Sequence, residues 1–307
     1  MNKINCIFFW TPGLSANILK YLHTQESLNI VAVVTTPDQP AGRGHELMMS
    51  PVGKYAKDNN LPLLQPEKVR SNETFFGAIK ELKPDICLVV AYGKILPQEL
   101  LDIPPMGFLN VHTSLLPKYR WAAPIQHALM HGEKVTGLTV QQMSLGMDEW
   151  DVLVQESWEV SSSDTTGTLF EKTSERAGPL LIEAITGLQD KILTPKPQNA
   201  EDATYTKMIE KKDGEIQTTW TIDEAYHRWQ AYTPWPGLYT FFNWTKVTFL
   251  EIEKRAKIKE QKDGIFFIVD NLPAIELSDG ILIIKKIHPA GKKPMSGEDF
   301  VRGFMKS

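Results

Sequence analysis

The chain has 307 residues, 42% apolar and 23% charged, with 20 glycines and 20 prolines. This ordinary balance excludes a disordered chain and a low-complexity fibre, and the length predicts two domains. The formal charge of −4 divides into +2 from Lys207 onward and −6 before it, a mildly basic tail that fits a polyanionic partner and ordinary surface variation equally well.

Residues 4–9, 30–34 and 86–90 are short, β-branched and, apart from Asn5, apolar, as strands buried on both faces should be. No charged-then-apolar leader precedes the first, and no run reaches the ~18 apolar residues of a membrane span, so a cytoplasmic protein is expected. Cys6 and Cys87 lie inside two of these strands and read as reduced core residues, and no Cys/His cluster has the spacing of a structural zinc site. Between the strands, 14–22 and 75–82 carry apolar residues at helical spacing. The alternation predicts an α/β domain with a parallel-sheet core, in which ligands bind beyond the carboxyl ends of the strands. The segments that follow the strands, 10–13, 35–44, 91–96 and 110–124, are therefore the candidate binding loops.

Further along, 166–188 reads as a long helix that Thr165-Thr166 can cap. Residues 193–203 hold Pro195 and Pro197 among polar residues and read as a linker. Beyond a helical stretch at 222–232, five short strands are expected at 238–242, 247–252, 265–269, 274–277 and 281–287, with Asp263-Gly264 and Asp279-Gly280 as turns. That density of short strands suggests a small β-barrel. The expected division is a first domain over 1–190, a linker over 191–206 and a β-barrel-like domain over 207–307.

Asn110 and His112 stand a residue apart at the exit of the strand 108–111, so alternation puts both on one face. Asp148 follows another strand-like run, 137–143. An amide donor, an imidazole and a carboxylate suit acyl transfer: the amide holds a developing oxyanion, the imidazole moves a proton, and the carboxylate orients the imidazole. On these three residues alone, a structural histidine is the simpler reading.

The surroundings alter that balance. Ala91-Tyr92-Gly93-Lys94-Ile95-Leu96-Pro97, Asn110-Val111-His112-Thr113-Ser114-Leu115-Leu116-Pro117-Lys118-Tyr119-Arg120, Ala122-Ala123-Pro124-Ile125 and Gly146-Met147-Asp148 together resemble the folate-dependent formyltransferases. Pro37-Asp38-Gln39-Pro40-Ala41-Gly42-Arg43-Gly44, Leu64-Gln65-Pro66-Glu67, Pro234-Trp235-Pro236-Gly237 and Gly291-Lys292-Lys293-Pro294-Met295-Ser296 are similar to the branch that acts on initiator tRNA. The resemblance spans nearly the whole chain. It implies a Rossmann-like formyltransferase domain followed by a small OB-like, tRNA-binding β-barrel. It also implies formyl transfer from 10-formyltetrahydrofolate to the amine of initiator methionyl-tRNA, without a metal, by a cytoplasmic monomer.

Residue by residue, the same resemblance implies a catalytic triad of Asn110, His112 and Asp148. It places folate against Ser114, Leu115, Leu116 and Pro117, with Tyr92 and Gly93 nearby, and the tRNA acceptor end against Gly42, Arg43 and Gly44. Two rival readings stand beside it. A sugar-nucleotide formyltransferase shares the Asn–His–Asp core but not the Gly42-Arg43-Gly44 loop or the tail segments. A catalytically silent tRNA- or folate-binding protein is the other.

The second rival arises from four departures. Trp10, Trp121, Trp150 and Trp244 stand where the family usually carries glycine, and the first three fall on the strand-exit loops. Packed inward, such an indole is expected to cost a few kcal/mol or to occupy substrate space; turned outward, it is nearly harmless.

Overall fold

The computed structural model describes residues 3–10, 15–41, 46–90, 92–256 and 266–305. The loop Gly42-Arg43-Gly44 and the turn Asp263-Gly264 lie outside the described residues. The chain forms two compact units, Met1–Trp121 with Val135–Glu159 and Phe170–Tyr205, and Ala122–Lys134 with Val160–Leu169 and Thr206–Ser307. Two stretches expected within the first domain, 122–134 and 160–169, thus cluster with the second unit. Among the described residues, no helix is long and apolar enough to cross a membrane.

The first unit is built on seven strands: β1 (Ile4–Trp10), β2 (Leu28–Thr35), β3 (Leu63–Leu64), β4 (Ile86–Val90), β5 (Phe108–His112), β6 (Val135–Gln142) and β7 (Asp151–Glu159). Their order across the sheet is β7-β6-β5-β4-β1-β2-β3. The pairs from β3 to β5 are parallel, as expected, whereas β6 and β7 add antiparallel to the β5 edge. Alternation along β1 shows why its run is apolar apart from Asn5. Ile4, Cys6, Phe8 and Trp10 enter one core layer together with Leu180, Leu181 and Ile185 of the helix Thr166–Gln189. Ile7 and Phe9 enter the opposite layer with Phe75, Phe76 and Ile79 of the helix Glu73–Glu81. Both cysteines are free and buried, and burial pushes each thiol well above its ordinary range.

The stretch expected as a linker is packed on the first unit instead of running free. Lys196 and Val152 exchange both backbone hydrogen bonds at 2.8 Å, so an extended, proline-rich segment covers part of the open edge of β7.

In the second unit, Thr221 and Glu224 form a reciprocal capping box that opens the helix Ile222–Tyr232. The strands are β8 (Tyr239–Phe242), β9 (Thr245–Ala256), β10 (Phe266–Val269), β11 (Leu272–Glu276), β12 (Gly280–Pro289) and β13 (Met295–Ser296). They run β8-β9-β12-β11-β10, with β13 on β12, and every pair is antiparallel. The sheet is curled: Phe242 of β8 meets Phe266 of β10 edge-on at 5.4 Å, and Phe300 contacts both rings. No strand pairing joins β8 to β10 among the described residues, so the expected barrel is a half-barrel whose edges meet through side chains.

Candidate active site

His112 ends β5, and the register of β5 against β6 sets its surroundings. Asn110 lies opposite Gln141 and His112 opposite Thr139, so these four side chains share one face. Asn110 is half-buried and His112 is buried. Asp148 sits in the loop between β6 and β7, at φ +58°, a left-handed conformation that aspartate tolerates better than most residues. That turn brings its buried carboxylate back to the strand face. Oδ1 lies 3.4 Å from His112 Nδ1 and accepts a 2.9 Å hydrogen bond from Gln141 Nε2. Oδ2 accepts the Trp121 backbone N–H at 2.9 Å. The other imidazole nitrogen, His112 Nε2, is 2.8 Å from Tyr119 O.

The expected folate segment is stitched to the same face. Thr139 Oγ1 donates to Ser114 O at 2.7 Å and accepts from Leu116 N at 3.1 Å, and Gln155 Nε2 donates to Leu116 O at 2.9 Å. Ser114 Oγ donates to Lys118 O at 2.6 Å, and Leu116 is buried while Leu115 and Pro117 are half-buried. Leu115 can approach β6 because residue 137 is glycine: a Cβ there would lie 2.5 Å from Leu115 Cδ2 and 2.1 Å from Glu156 O. Tyr92 faces the core, its ring edge-on to Phe9 at 5.7 Å, and burial pushes its phenol up to about 12. Gly93 beside it is exposed, with nothing within 4 Å of where a Cβ would stand.

Four polar residues of this site carried no motif. The β5–β6 register finds Gln141 and Thr139, and alternation on β7 finds Gln155. Gln198 comes from the proline-rich stretch, where nothing in the local sequence singles it out. Its Nε2 donates to Asp148 O at 2.9 Å and to Trp150 O at 2.7 Å, and its Oε1 accepts from Arg120 Nε and NH2 at 3.1 and 2.9 Å. Among the described residues, no group of three or more His, Cys, Asp or Glu side chains is arranged to hold a metal ion.

The four tryptophans divide evenly. Trp10 and Trp150 turn inward, and each leaves a buried indole N–H without a hydrogen-bond partner among the described residues. Trp121 and Trp244 turn outward, and both hold glycine-like backbones, at φ +79° and +65°. The Trp121 ring lies against Tyr205, with centroids 4.7 Å apart. Trp244 is 97% exposed. The second unit holds a separate cavity of about 710 Å³ lined by, among others, His127, Lys207, Lys212, Trp220 and Arg228.

Comparison with known proteins covers both units. Residues 3–185 match the formyl transferase family, and residues 208–305 match the formyl transferase C-terminal domain. The methionyl-tRNA formyltransferase of Caldicellulosiruptor saccharolyticus is 39% identical over 304 residues, 98% of this chain and 97% of that protein. Among solved structures, methionyl-tRNA formyltransferase from Clostridium thermocellum is similar with a TM-score of 0.55 at 18% identity, over 84% of this chain and 95% of that one. HypX from Aquifex aeolicus in complex with tetrahydrofolic acid is similar with a TM-score of 0.63 at 14% identity, over 98% of this chain and 47% of that one. This chain thus spans about half the length of HypX, and at these identities both structures bear on the fold alone. With the family matched over both units and a relative aligned almost from end to end, the chain belongs to the formyl transferase family.

Proposed function

We propose that this protein transfers the formyl group of 10-formyltetrahydrofolate to the amino group of methionine carried on initiator tRNA, acting as a cytoplasmic monomer. The observation that carries this reading is the buried His112–Asp148 pair on the strand face of Asn110, in a chain whose full-length relatives include a methionyl-tRNA formyltransferase. The formyl donor supplies an activated carbonyl carbon. When the substrate amine adds to it, Asn110 donates its amide hydrogen to the developing oxyanion, a kind of contact worth about 3–4 kcal/mol. His112 lends the Nε2–H that here rests on Tyr119 O. Asp148 holds the ring from Nδ1 and helps to move the proton that the attacking amine loses onto N10 of the folate. The oxyanion then collapses, the bond from N10 to the formyl carbon breaks, and tetrahydrofolate departs. The backbone between Ser114 and Pro117, held by Thr139 and Gln155, lines the folate with Gly93.

For the RNA, Arg43 in its glycine-flanked loop is assigned to the acceptor end, where its planar fork suits phosphate. In the second unit, Lys212, Lys254 and Arg255 are already paired with Glu210, Asp223 and Asp270. We therefore assign backbone contacts to Lys207, Lys211, Lys292 and Lys293, and affinity for tRNA falls as salt rises.

The test is direct. Purified protein is incubated with methionyl initiator tRNA and 10-formyltetrahydrofolate, and with an amino-sugar nucleotide in a parallel reaction. Formyl-methionyl-tRNA is expected in the first alone. Formylation of the sugar only, or of neither, overturns the reading.

A further inference from the structure

Gln141 is a fully buried amide on β6, and such a group is stable only with its hydrogen-bonding capacity used. Its Nε2 donates to Asp148 Oδ1, the oxygen that faces His112. The imidazole approach of 3.4 Å is too long for a strong hydrogen bond, so Gln141 is the closer of the two groups on that oxygen. With the Trp121 N–H on Oδ2, it fixes the plane of the carboxylate. Without it, Oδ1 is free to swing away from the ring.

The neighbouring amide sets which end of Gln141 faces Asp148. A guanidinium only donates, so the two Arg120 bonds require Gln198 to present Oε1 to Arg120 and its NH₂ to the loop 148–150. That same NH₂ stands 3.5 Å from Gln141 Oε1, which leaves the Gln141 NH₂ directed at the carboxylate. Arg120, Gln198 and Gln141 thus form an oriented relay that ends on Asp148.

We infer that Gln141 is a positioning residue, with Gln198 as its support: it holds the Asp148 carboxylate in the orientation that directs His112 during formyl transfer. The inference rests on the function proposed above, but its structural half is measurable without substrates. Gln141→Met keeps the volume and removes the donor. Gln142→Met on the same strand serves as control, because Gln142 bonds Met106 O and not Asp148.

In steady-state formylation, Q141M is expected to lose kcat by roughly ten- to a hundredfold, with KM for both substrates within about twofold of the parent. Q142M is expected to match the parent. In the Asp148→Asn background, adding Q141M costs nothing further, because the glutamine acts only through that carboxylate. By NMR, the His112 ring Nδ1 resonance is expected to shift in Q141M and to hold its position in Q142M. An unmoved His112 resonance overturns the inference, and so does a Q141M loss that multiplies with Asp148→Asn. A parent chain that does not formylate methionyl-tRNA refutes the proposed function alone, since the resonance still reports on the relay.

Discussion

Asp148 meets His112 through a single oxygen, with Oδ1 3.4 Å from Nδ1, and it does so from a left-handed backbone at φ +58°. The imidazole therefore lies between two oxygen acceptors, this carboxylate on one side and the Tyr119 carbonyl on the other. Directed in this way, the ring cannot rotate without giving up a contact.

Removing the carboxylate should reach the chemistry and not the fold. Asp148→Asn and His112→Ala are each expected to lower the single-turnover formylation rate by about 10²- to 10⁴-fold. Circular dichroism should stay close to the parent, while the melting temperature falls by a few degrees, because each change leaves a buried group without its partner. A variant that keeps the parent rate removes its residue from the mechanism.

Trp121 holds the loop against this pair. Its φ of +79° costs about 1–2 kcal/mol for a side-chain-bearing residue, while its contact with Tyr205 returns about 0.5–1.5 kcal/mol. The two nearly cancel, so Trp121→Gly should leave the melting temperature almost unchanged. Its effect should instead fall on rate. Glycine keeps the backbone N–H that holds Asp148 Oδ2 while easing the Tyr119 carbonyl off His112 Nε2, and single-turnover formylation is expected to rise several-fold. An unchanged rate would show that the loop accommodates the indole without penalty.

Trp244 gives the opposite pattern. Asn243 and Trp244 both have positive φ in the two-residue turn between β8 and β9, a geometry for which asparagine-glycine is the favoured pair. With the ring 97% exposed, Trp244→Gly loses no packing. It sheds about 1–2 kcal/mol of strain, less about 0.4–1 kcal/mol of added unfolded-state freedom. Thermal melts should show a gain of a few degrees, with formylation unaltered.

Trp10 and Trp150 call for a different replacement. Each indole fills core space but leaves a buried N–H without a partner among the described residues, a cost of about 1–3 kcal/mol. Phenylalanine removes the N–H and keeps most of the ring, whereas glycine opens a hole costing at least the roughly 3–5 kcal/mol of a Trp→Ala truncation. Melting temperatures should therefore rank Trp10→Phe above Trp10→Gly, and Trp150→Phe above Trp150→Gly. The reverse order would mean that the core collapses around the missing ring.

Two histidines of the second unit predict acid sensitivity. Burial, as the leading cause, lowers both His127 and His227 below the ordinary 6.5. Below pH 6.5 the unfolded chain then binds more protons than the folded one, so stability rises with pH through that range. The contribution is complete above 6.5 and is lost as pH falls through the depressed folded values. Denaturant melts of the parent should weaken from pH 7 toward pH 5, and His127→Gln with His227→Gln should flatten that slope.

Much of this protein was written locally. The apolar runs of β1, β2 and β4 determine strands buried on both faces, because each alternate residue must enter a core layer. The spacing of Asn110 and His112 determines a shared face, because strand side chains repeat every two residues. The motif order determined the family before any coordinate did. Tertiary structure decided the rest, wherever the outcome depended on what lay opposite. Pro195 and Pro197 signal an extended segment, but only the open edge of β7 turns that segment into a pairing partner and brings Gln198 to Asp148. A tryptophan in place of glycine signals bulk without direction. Tertiary packing buries Trp10 and Trp150 and leaves Trp121 and Trp244 exposed, because a side chain settles where distant residues leave it room.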